Sequence, residues 1–498
     1  MMQRHRSTLL LAAAAILAGA PAAIISTAAA QSLQDALAQA YSNNTTLLAA
    51  RAQLRAIDEG VPQALSGWRP TVVINTNAGV ADQRTRSQAQ VFRNDQSFFF
   101  RDPQANLLDR NTGTLGAAGP ISTTIRQERT SAGANVTLTQ PIYRGGRTVA
   151  SVRQAENRVL AQRARLFGTE QQVMSDTTNA YVAVIRFQEE VRLNINNEQV
   201  LARQLQATNE RFRVGEITRT DVAQAESRLA GARTARTQSE GTLQIARATY
   251  ERVIGEAPRR LTNPQPLQPP VRSSAEAQAM AVASNPNVVA ALFAAAAARD
   301  NIDVQASVLL PQVSATAQAF RQDNNIQPHS RQNGGQATLN LSVPLYQGGA
   351  EYAAVRQARQ TTQQNLSQVD EARRTAAEAA ARAWETLRSA RAAVESVRAQ
   401  IRAAEIALDG VQREAIVGSR TTLDVLNAEQ ELLNARTSLV NALTSVVTGS
   451  YTLAGAVGRL TAQDLGLGVD LYDMTAYYNA VRNRWAGLGD YSTAAARR

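Results

Sequence analysis

The chain has 498 residues, a net charge of +11 at neutral pH and no cysteine. The lack of cysteine excludes disulfides, cysteine-ligated zinc and thiol catalysis, and two histidines leave little for metal binding or acid–base chemistry. All 52 basic residues are arginines interleaved with Asp and Glu along helical stretches, which favours solvated helix faces over a nucleic-acid site.

The start of the chain predicts a secretory signal peptide at residues 1–30. A basic head precedes an apolar stretch, and Ala28-Ala29-Ala30 forms a small-residue cleavage site before Gln31. Because Gln31 is not a cysteine, a lipoprotein anchor is not expected. No later stretch has the ~18 uninterrupted apolar residues of a membrane helix, so such an exported chain is expected to enter a membrane only through β-strands.

In chain order, the first repeat is expected to begin with a helix at about 32–66, which ends before Pro70. Alternating, β-branched residues then predict strands at about 71–81 and 132–140. An almost unbroken run of helix-forming residues predicts a long helix at about 146–212, a tip at about 214–221 and a returning helix at about 218–254.

The second repeat is expected to follow the same plan. Its predicted elements are a helix at about 274–308, strands at about 312–320 and 336–343, a long helix at about 349–417, a tip at about 417–424 and a last helix at about 422–457. The first hairpin carries about 38 more residues between its strands, in the segment at about 82–131 that contains Phe98-Phe99-Phe100. The role of this inserted segment is left open.

Two pairs of matching phrases indicate that the chain contains two copies of one unit. VGEITRTDVAQAE at 214–226 and VGSRTTLDVLNAE at 417–429 are 203 residues apart, as are the phrases that begin at Gln140 and Val343. Repetition at fixed spacing predicts tandem structural units. The predicted parts are a first repeat at 31–260, a linker at 261–273, a second repeat at 274–458 and a C-terminal segment at 459–498.

The four short strands carry the strongest sequence evidence about function. They alternate apolar and small polar residues over the ~8–11 residues that a tilted strand needs to cross a bilayer. Four strands are fewer than the roughly eight of a closed barrel, and open strand edges in lipid cost several kcal/mol per unpaired group. Sister subunits are therefore expected to share one barrel, and three chains would give twelve strands.

The helix–hairpin–helix–helix repeats, the junctions PIYRGG and PLYQGG and the paired VGxxxxxDV phrases resemble the TolC family of outer-membrane efflux channels. The resemblance covers essentially the whole mature chain, and the run from Leu465 to Asp490 is similar to the tails of alphaproteobacterial members associated with type I secretion. It implies a mainly α fold with a small β part, forming a trimeric, twelve-stranded outer-membrane β-barrel continuous with a long periplasmic α-helical barrel. The C-terminal segment at 459–498 would then lie near the equatorial region of that α-helical barrel. It also implies a periplasmic adaptor protein, an inner-membrane ABC or RND transporter, contact with outer-membrane lipid, and no cofactor or metal.

The resemblance implies that an adaptor docks at two periplasmic tips, at Val214, Gly215, Val417 and Gly418. Glycine suits the left-handed or tight backbone of a turn between two helices. The alternative is that these residues only cap the ends of their helices.

The resemblance also implies a gate near the second tip. Asp424 matches an aspartate that lines the constriction, where a ring of three carboxylates would attract cations and raise one another's pKa. Asn427 stands where the family usually has a second aspartate, which halves the expected charge of the ring. The alternative for Asp424 is an ordinary carboxylate in the first turn of a helix, favoured by the helix dipole.

Arg420 matches a family arginine that bonds to the other hairpin and holds the gate shut. Its implied partners are Asp221 and Thr220, since an arginine–carboxylate pair is directional and breakable. The family's aromatic helper is replaced by Ala415. The alternative for Arg420 is a solvated surface charge.

Trp68, Tyr143 and Tyr346 flank the strands and are predicted to lie at the membrane interface. Ordinary packing at the strand–helix junctions accounts for them equally well.

The sequence therefore predicts a passive outer-membrane exit duct of a tripartite export system that extends into the periplasm. Type I protein secretion is favoured slightly over multidrug efflux. The alternative is an exported coiled-coil structural or adhesive protein without a pore, which would not need two hairpins of membrane-crossing length. An enzyme is not expected because no nucleophile–base pair, phosphate loop or metal-ligand cluster is found.

Overall fold

The structure, a computed structural model, describes residues 30–89, 121–324, 329–489 and 491. The predicted signal peptide up to Ala29 and the three phenylalanines at 98–100 lie outside the described residues. The chain forms two compact units, each assembled from both repeats. The first unit contains the residues up to Ala50, Phe167–Asn285 and Thr375–Leu471; the second contains Arg51–Leu166, Pro286–Arg374 and the residues from Tyr472 onward.

The described residues are mostly helical. The helices are α1 (Leu33–Asn43), α2 (Thr45–Asp58), α3 (Gly60–Leu65), α4 (Arg147–Arg213), α5 (Arg219–Ile254), α6 (Ser274–Ser284), α7 (Pro286–Ala306), α8 (Ala350–Ile416), α9 (Thr422–Ala456) and α10 (Ala476–Val481). The strands are β1 (Thr71–Ala89), β2 (Ile121–Arg144), β3 (Gln312–Asp323) and β4 (Arg331–Ser342). The two long helices, α4 and α8, have 67 residues each and lie within one residue of their predicted bounds, so that prediction is confirmed.

The first helix of each repeat is interrupted, whereas the sequence predicted continuous helices at 32–66 and 274–308. The breaks fall at Asn44 and Asn285, whose backbones are extended. The Asn44 side chain donates to the Val253 carbonyl oxygen at 2.8 Å, and Asn285 donates to that of Ala456 at 3.1 Å. Because these bonds cap the ends of the returning helices, tertiary contacts override the local helical pattern at both sites.

One helical segment, Ser274–Leu309, has the length and composition of a membrane span. Its most apolar 18-residue window has a mean hydropathy of 1.5, and 28% of that window is buried. A core helix of a soluble protein meets the same criterion. Asn285 also interrupts the segment, so its composition is weak evidence for a span.

The four strands form one antiparallel sheet in the order β1-β2-β3-β4. The predicted strands at 71–81 and 132–140 were too short, because β1 and β2 remain paired as far as Ala89 and Ile121. Part of the predicted inserted loop at 82–131 is therefore strand. The second hairpin also differs from its prediction, since β3 extends to Asp323 and β4 spans Arg331–Ser342. Most of the extra residues are polar, so an alternation of apolar and polar residues cannot reveal them.

The core of the first unit centres on two fully buried tyrosines, Tyr181 and Tyr250, with ring centroids 6.4 Å apart. The Tyr181 hydroxyl lies 2.9 Å from the Gln31 carbonyl oxygen and 2.7 Å from that of Thr262. The hydroxyl also accepts from the Thr262 N–H at 3.1 Å. These bonds fasten the start of the first repeat to the linker between the repeats.

The predicted C-terminal segment at 459–498 divides between the two units. In the first unit, the Ala462 N–H donates to Glu170 Oε1 at 2.7 Å. In the second unit, the Tyr477 hydroxyl donates to Glu59 at 2.8 Å, and Tyr478 packs against the core formed by Val61, Ala155 and Val159.

A buried carboxylate lies at the end of α2 in the second unit. Asp58 is 0% exposed, and neither of its oxygens has a hydrogen-bond partner among the described residues. Burial raises the pKa of Asp58 to about 6, and the nearby Arg163 guanidinium opposes the rise.

Candidate functional site

Each long helix ends in a left-handed glycine turn. Gly215 has φ 79° and Gly418 has φ 78°. The N–H of Glu216 donates to the Arg211 carbonyl oxygen, and the N–H of Ser419 to that of Glu414, both at 3.0 Å, which is the bond of a Schellman motif. A side chain at either glycine would meet no atom within 4 Å, so backbone conformation alone requires glycine there.

A capping box starts each returning helix. The Thr421 N–H donates to Asp424 Oδ2 at 3.0 Å, and the Asp424 N–H donates back to Thr421 Oγ1 at 3.2 Å. Thr218 and Asp221 form the same box at the start of α5. The repeated VGxxxxxDV phrase is thus a glycine turn followed by a capping box.

The pKa of Asp424 is lowered in the single chain, chiefly by the hydrogen bond from the Thr421 N–H. The pKa of Asp221 is lowered in the same way, chiefly by the Thr218 hydroxyl. This direction is opposite to the rise expected for a ring of three carboxylates. The alternative interpretation, a carboxylate in the first turn of a helix, describes Asp424 in one chain.

In the single chain Arg420 bonds within its own turn, and its pairing with Asp221 or Thr220 stays a prediction. Its Nε donates to Glu414 Oε2 at 2.8 Å, while the Asp221 carboxylate accepts from Thr218. The structure does not bring Arg420 to Asp221 or Thr220. The first turn has an equivalent ion pair, Arg211 to Glu216, at 2.6 Å. Opposite charges on the two sides of each glycine were the signal in the sequence that could have revealed these pairs.

Asn427 makes a contact between the hairpins that sequence reasoning missed. Its Oδ1 accepts from Arg228 Nη2 at 3.0 Å, which joins α9 to α5. An apolar cluster joins the same hairpins, and its buried members are Leu201, Leu229, Ala232 and Leu426. The position predicted to line a constriction therefore holds the two hairpins of one chain together.

The tips expose apolar side chains. Val214 and Val417 are each 78% exposed, and Ile416 is 80% exposed. Three large apolar side chains left in water at the ends of paired helices are typical of a contact surface, although single exposed residues are common.

The two faces of the sheet differ in chemistry. Residues opposite each other in antiparallel strands share a face, so Ile74 and Val136 lie together, as do Asn75 and Asn135. The apolar face carries Val72, Ile74, Val80, Val136, Leu138, Val313, Leu339 and Leu341. Much of this face is open in the single chain, with Ile74 67% exposed.

The three predicted interface aromatics lie where the strands meet the helices. Trp68 is in the short turn before β1, Tyr143 is at the end of β2 beside a register shift, and Tyr346 follows β4. All three are exposed, and Tyr346 is 78% exposed. Sequence reasoning missed Trp485, which is also exposed and lies 5.2 Å from the Arg69 guanidinium. Their place at a membrane interface stays a prediction.

No group of His, Cys, Asp and Glu able to hold a metal ion occurs among the described residues.

The chain matches the family model "Outer membrane efflux protein" at residues 36–256 and 278–459. It is 34% identical over 480 residues to the outer membrane efflux protein BepC of Brucella suis, covering 96% of each chain. It is 25% identical to the outer membrane protein TolC of Vibrio cholerae, covering 66% of this chain and 68% of that one. It is 23% identical to the alkaline protease secretion protein AprF of Pseudomonas aeruginosa, covering 60% and 64%.

Solved structures of outer-membrane channels share the fold. The Campylobacter jejuni channel CmeC matches with a TM-score of 0.69 at 14% identity, covering 91% of this chain and 89% of that one. The open state of the Neisseria gonorrhoeae channel MtrE matches with a TM-score of 0.65 at 18% identity, covering 86% and 88%. With the family match in both repeats and a relative aligned over nearly its whole length, the chain belongs to the outer membrane efflux protein family, as a passive outer-membrane channel of the TolC type and not an enzyme.

Proposed function

We propose that three copies of this chain form the outer-membrane exit duct of a tripartite export system. Their four-stranded sheets close one twelve-stranded barrel, which continues into a long periplasmic tube of helices. The duct performs no bond chemistry, and cargo enters it from an inner-membrane transporter through a periplasmic adaptor.

The open sheet is the observation that carries this proposal. Among the described strands, β1 and β4 are each paired along one edge only. In hydrocarbon every unpaired backbone group costs several kcal/mol, and the exposed apolar face requires hydrocarbon or protein against it. Pairing β1 of one chain with β4 of the next satisfies both edges, and twelve strands fall within the range of outer-membrane barrels.

The gate is proposed to lie at the tips. Three copies of Asp424 would surround a constriction, with Asn427 held beside it by Arg228. The lock between Arg420 and Asp221 or Thr220 is absent from a single chain, so it would have to form between sister subunits. Opening would then break exposed ion pairs and hydrogen bonds, which are individually weak and easily replaced by water.

Adaptor docking is proposed at the two glycine turns. Val214 and Val417 offer exposed apolar side chains beside Gly215 and Gly418, and each turn ends a helical hairpin. An adaptor that presents its own apolar tip would bury these valines, which the single chain leaves in water.

The cargo is proposed to be protein, by type I secretion. The similarity of the C-terminal run to secretion-associated members supports this choice, and AprF is named for protease secretion. Multidrug efflux is the second candidate, because BepC, a relative of higher identity, is named an efflux protein. Pull-down of a tagged copy from membranes, with identification of the co-purified ABC or RND transporter, separates the two.

The experiment that tests the duct is reconstitution in planar bilayers beside electrophoresis with and without heating. The account predicts a heat-dissociable trimer with discrete conductance steps. A stable monomer that inserts into no bilayer would contradict it and would favour an exported coiled-coil protein without a pore.

A further inference from the structure

The apolar face of the first hairpin ends in charged residues. On this face Val80 is opposite Thr130, and the next pairs outward are Asp82 with Glu128 and Arg84 with Arg126. These pairs lie at the end of the hairpin remote from α4, beyond Val80, the last apolar residue of β1 on this face. The face that is apolar along β1 as far as Val80 is therefore charged beyond it.

The second hairpin repeats the change on the same face. Ala319 is followed on this face by Arg321 and Asp323, and Asp323 is opposite Arg331. Through Val136, Ala319 is level with Ile74 of β1, so the border between apolar and charged residues runs obliquely across the strands. Strands that tilt in a barrel have such a stagger, so an oblique border on the sheet becomes a level border around the barrel.

Arginines outnumber carboxylates in this charged band, which we name the arginine belt. Its members are Arg84, Arg86, Arg126, Arg321, Arg331, Asp82, Glu128 and Asp323.

The carboxylates of the belt are already engaged. Arg126 donates two hydrogen bonds to the Asp82 carboxylate, from Nε at 3.0 Å and from Nη2 at 2.7 Å. Its Nη2 also lies 3.5 Å from Glu128 Oε1. Arg331 and Arg321 share Asp323, at 2.8 and 3.3 Å.

Two arginines of the belt are left without an acidic partner. Arg84 and Arg86 are exposed and have no carboxylate partner among the described residues. Both lie beyond Val80 on the same face of the sheet, which is apolar as far as Val80. A guanidinium in this position offers paired N–H donors that match the geometry of a phosphate.

We propose that the arginine belt, and Arg84 and Arg86 above all, binds the phosphate groups of lipid head groups in the outer leaflet. The inference rests on the proposed function, because the apolar face must lie in the bilayer with the strand ends at the cell surface. Continuity with that face favours a membrane lipid over a soluble anion, since a lipid fills both parts of one surface. Aromatic and basic residues commonly anchor proteins at this depth.

The test compares the full trimer in detergent with its double variant Arg84→Gln/Arg86→Gln. Native mass spectrometry measures the binding of lipid A and of its dephosphorylated form, which has the same acyl chains. The matched control is Arg391→Gln/Arg402→Gln, which removes two exposed arginines from α8 and leaves the sheet unchanged. Planar-bilayer conductance is recorded for all three proteins.

We expect the wild-type trimer and the control to bind lipid A on the order of tenfold more tightly than its dephosphorylated form. The double variant should lose most of this preference while it still inserts and conducts. Equal binding of the two lipids by a conducting wild-type channel would overturn the inference and leave the duct intact. Full displacement of lipid A by millimolar inorganic phosphate would also overturn it, since the belt would then be a general anion site. Failure of the wild-type protein to insert would overturn both proposals.

Discussion

The helix tips and the sheet differ in how far one chain can complete them. At the tips, both turns are capped within the chain, and Arg420 finds Glu414 six residues away. In the sheet, the outer edges of β1 and β4 have no neighbouring strand among those described, and Ile74 is 67% exposed. In the proposed trimer, sister subunits would complete the sheet, whereas the tips would need a partner only for gating and docking. The proposed function thus places assembly and gating in different regions of the chain.

The largest expected effect is on the apolar face of the sheet. Ile74→Arg places a charge toward lipid near the middle of the apolar band, which costs about 2–4 kcal/mol in an outer-membrane barrel. Asn75→Arg, one residue away on the polar face, should cost much less. Urea unfolding of the reconstituted variants measures the difference. Equal stability of the two variants would contradict a sheet whose apolar face contacts lipid while its polar face lines the lumen.

Two carboxylates outside the sheet should respond to pH in opposite directions. The pKa of Asp58 is raised to about 6, so its contribution to folding is present in acid and is lost as the pH rises through 6. Asp58→Asn should therefore stabilise the protein by about 1–3 kcal/mol at pH 8 and by less at pH 5.

Asp424 at the tip provides the contrast to Asp58. In the single chain its pKa is lowered, so the stabilising contribution of its capping box is present at neutral pH and is lost as the pH falls through its folded value. Asp424→Asn should therefore weaken the tip more at pH 7 than at pH 3. The free energy of unfolding at each pH measures the effect of Asp58→Asn, and amide hydrogen exchange at each pH measures the effect of Asp424→Asn on the tip. Parallel pH responses would contradict the assigned environments.

The glycine turns should tolerate no side chain, for reasons of backbone alone. Gly215→Ala and Gly418→Ala force a left-handed residue and should each cost about 1–2 kcal/mol locally. Gly231→Ala and Gly410→Ala, in helix interiors with open space around them, should instead stabilise by about 0.5–1 kcal/mol. Hydrogen exchange of the tip amides distinguishes them, and unchanged exchange in the two turn variants would refute the turn geometry.

The smallest expected effect is on the resting gate. Asn427→Ala removes the bond from Arg228 and should raise resting conductance modestly. Replacement of Arg420 and Asp221 together should raise it further if they lock neighbouring subunits. Arg382→Ala, which removes an exposed pair on α8, is the control and should change nothing. Unchanged conductance in the Arg420 and Asp221 double variant would exclude that lock.

Periodicity predicted the elements whose own residues determine them. The long helices α4 and α8 and the glycine turns follow from local composition, so they appear at their predicted places. The strands were predicted only where they alternate apolar and polar residues. Beyond Val80 the ladder continues through charged residues, because a backbone ladder does not depend on side-chain type.

Contacts that depend on folding could not be predicted from the sequence. Asn44 interrupts a helix because its side-chain amide donates a hydrogen bond to a carbonyl oxygen more than two hundred residues away in the chain. Asn427 bonds to Arg228 because α5 and α9 pack together. The bond from Arg420 to Glu414 is different, because it is local and the opposite charges on the two sides of Gly418 could have revealed it.

The most direct test of the shared barrel is cross-linking between β1 and β4 in intact membranes. The chain has no cysteine, so Asn75→Cys can be combined in turn with Gln336→Cys, Thr338→Cys or Asn340→Cys on the same polar face. Within a chain β1 and β4 are separated by β2 and β3. We expect at least one of these pairs to form disulfide-linked dimers and trimers. In the control, Thr137→Cys on the inner strand β2 replaces Asn75→Cys, and we expect no cross-linked dimers or trimers. If every pair yields only monomers although the protein is in the membrane, the sheets of neighbouring subunits are not joined edge to edge and do not share one barrel.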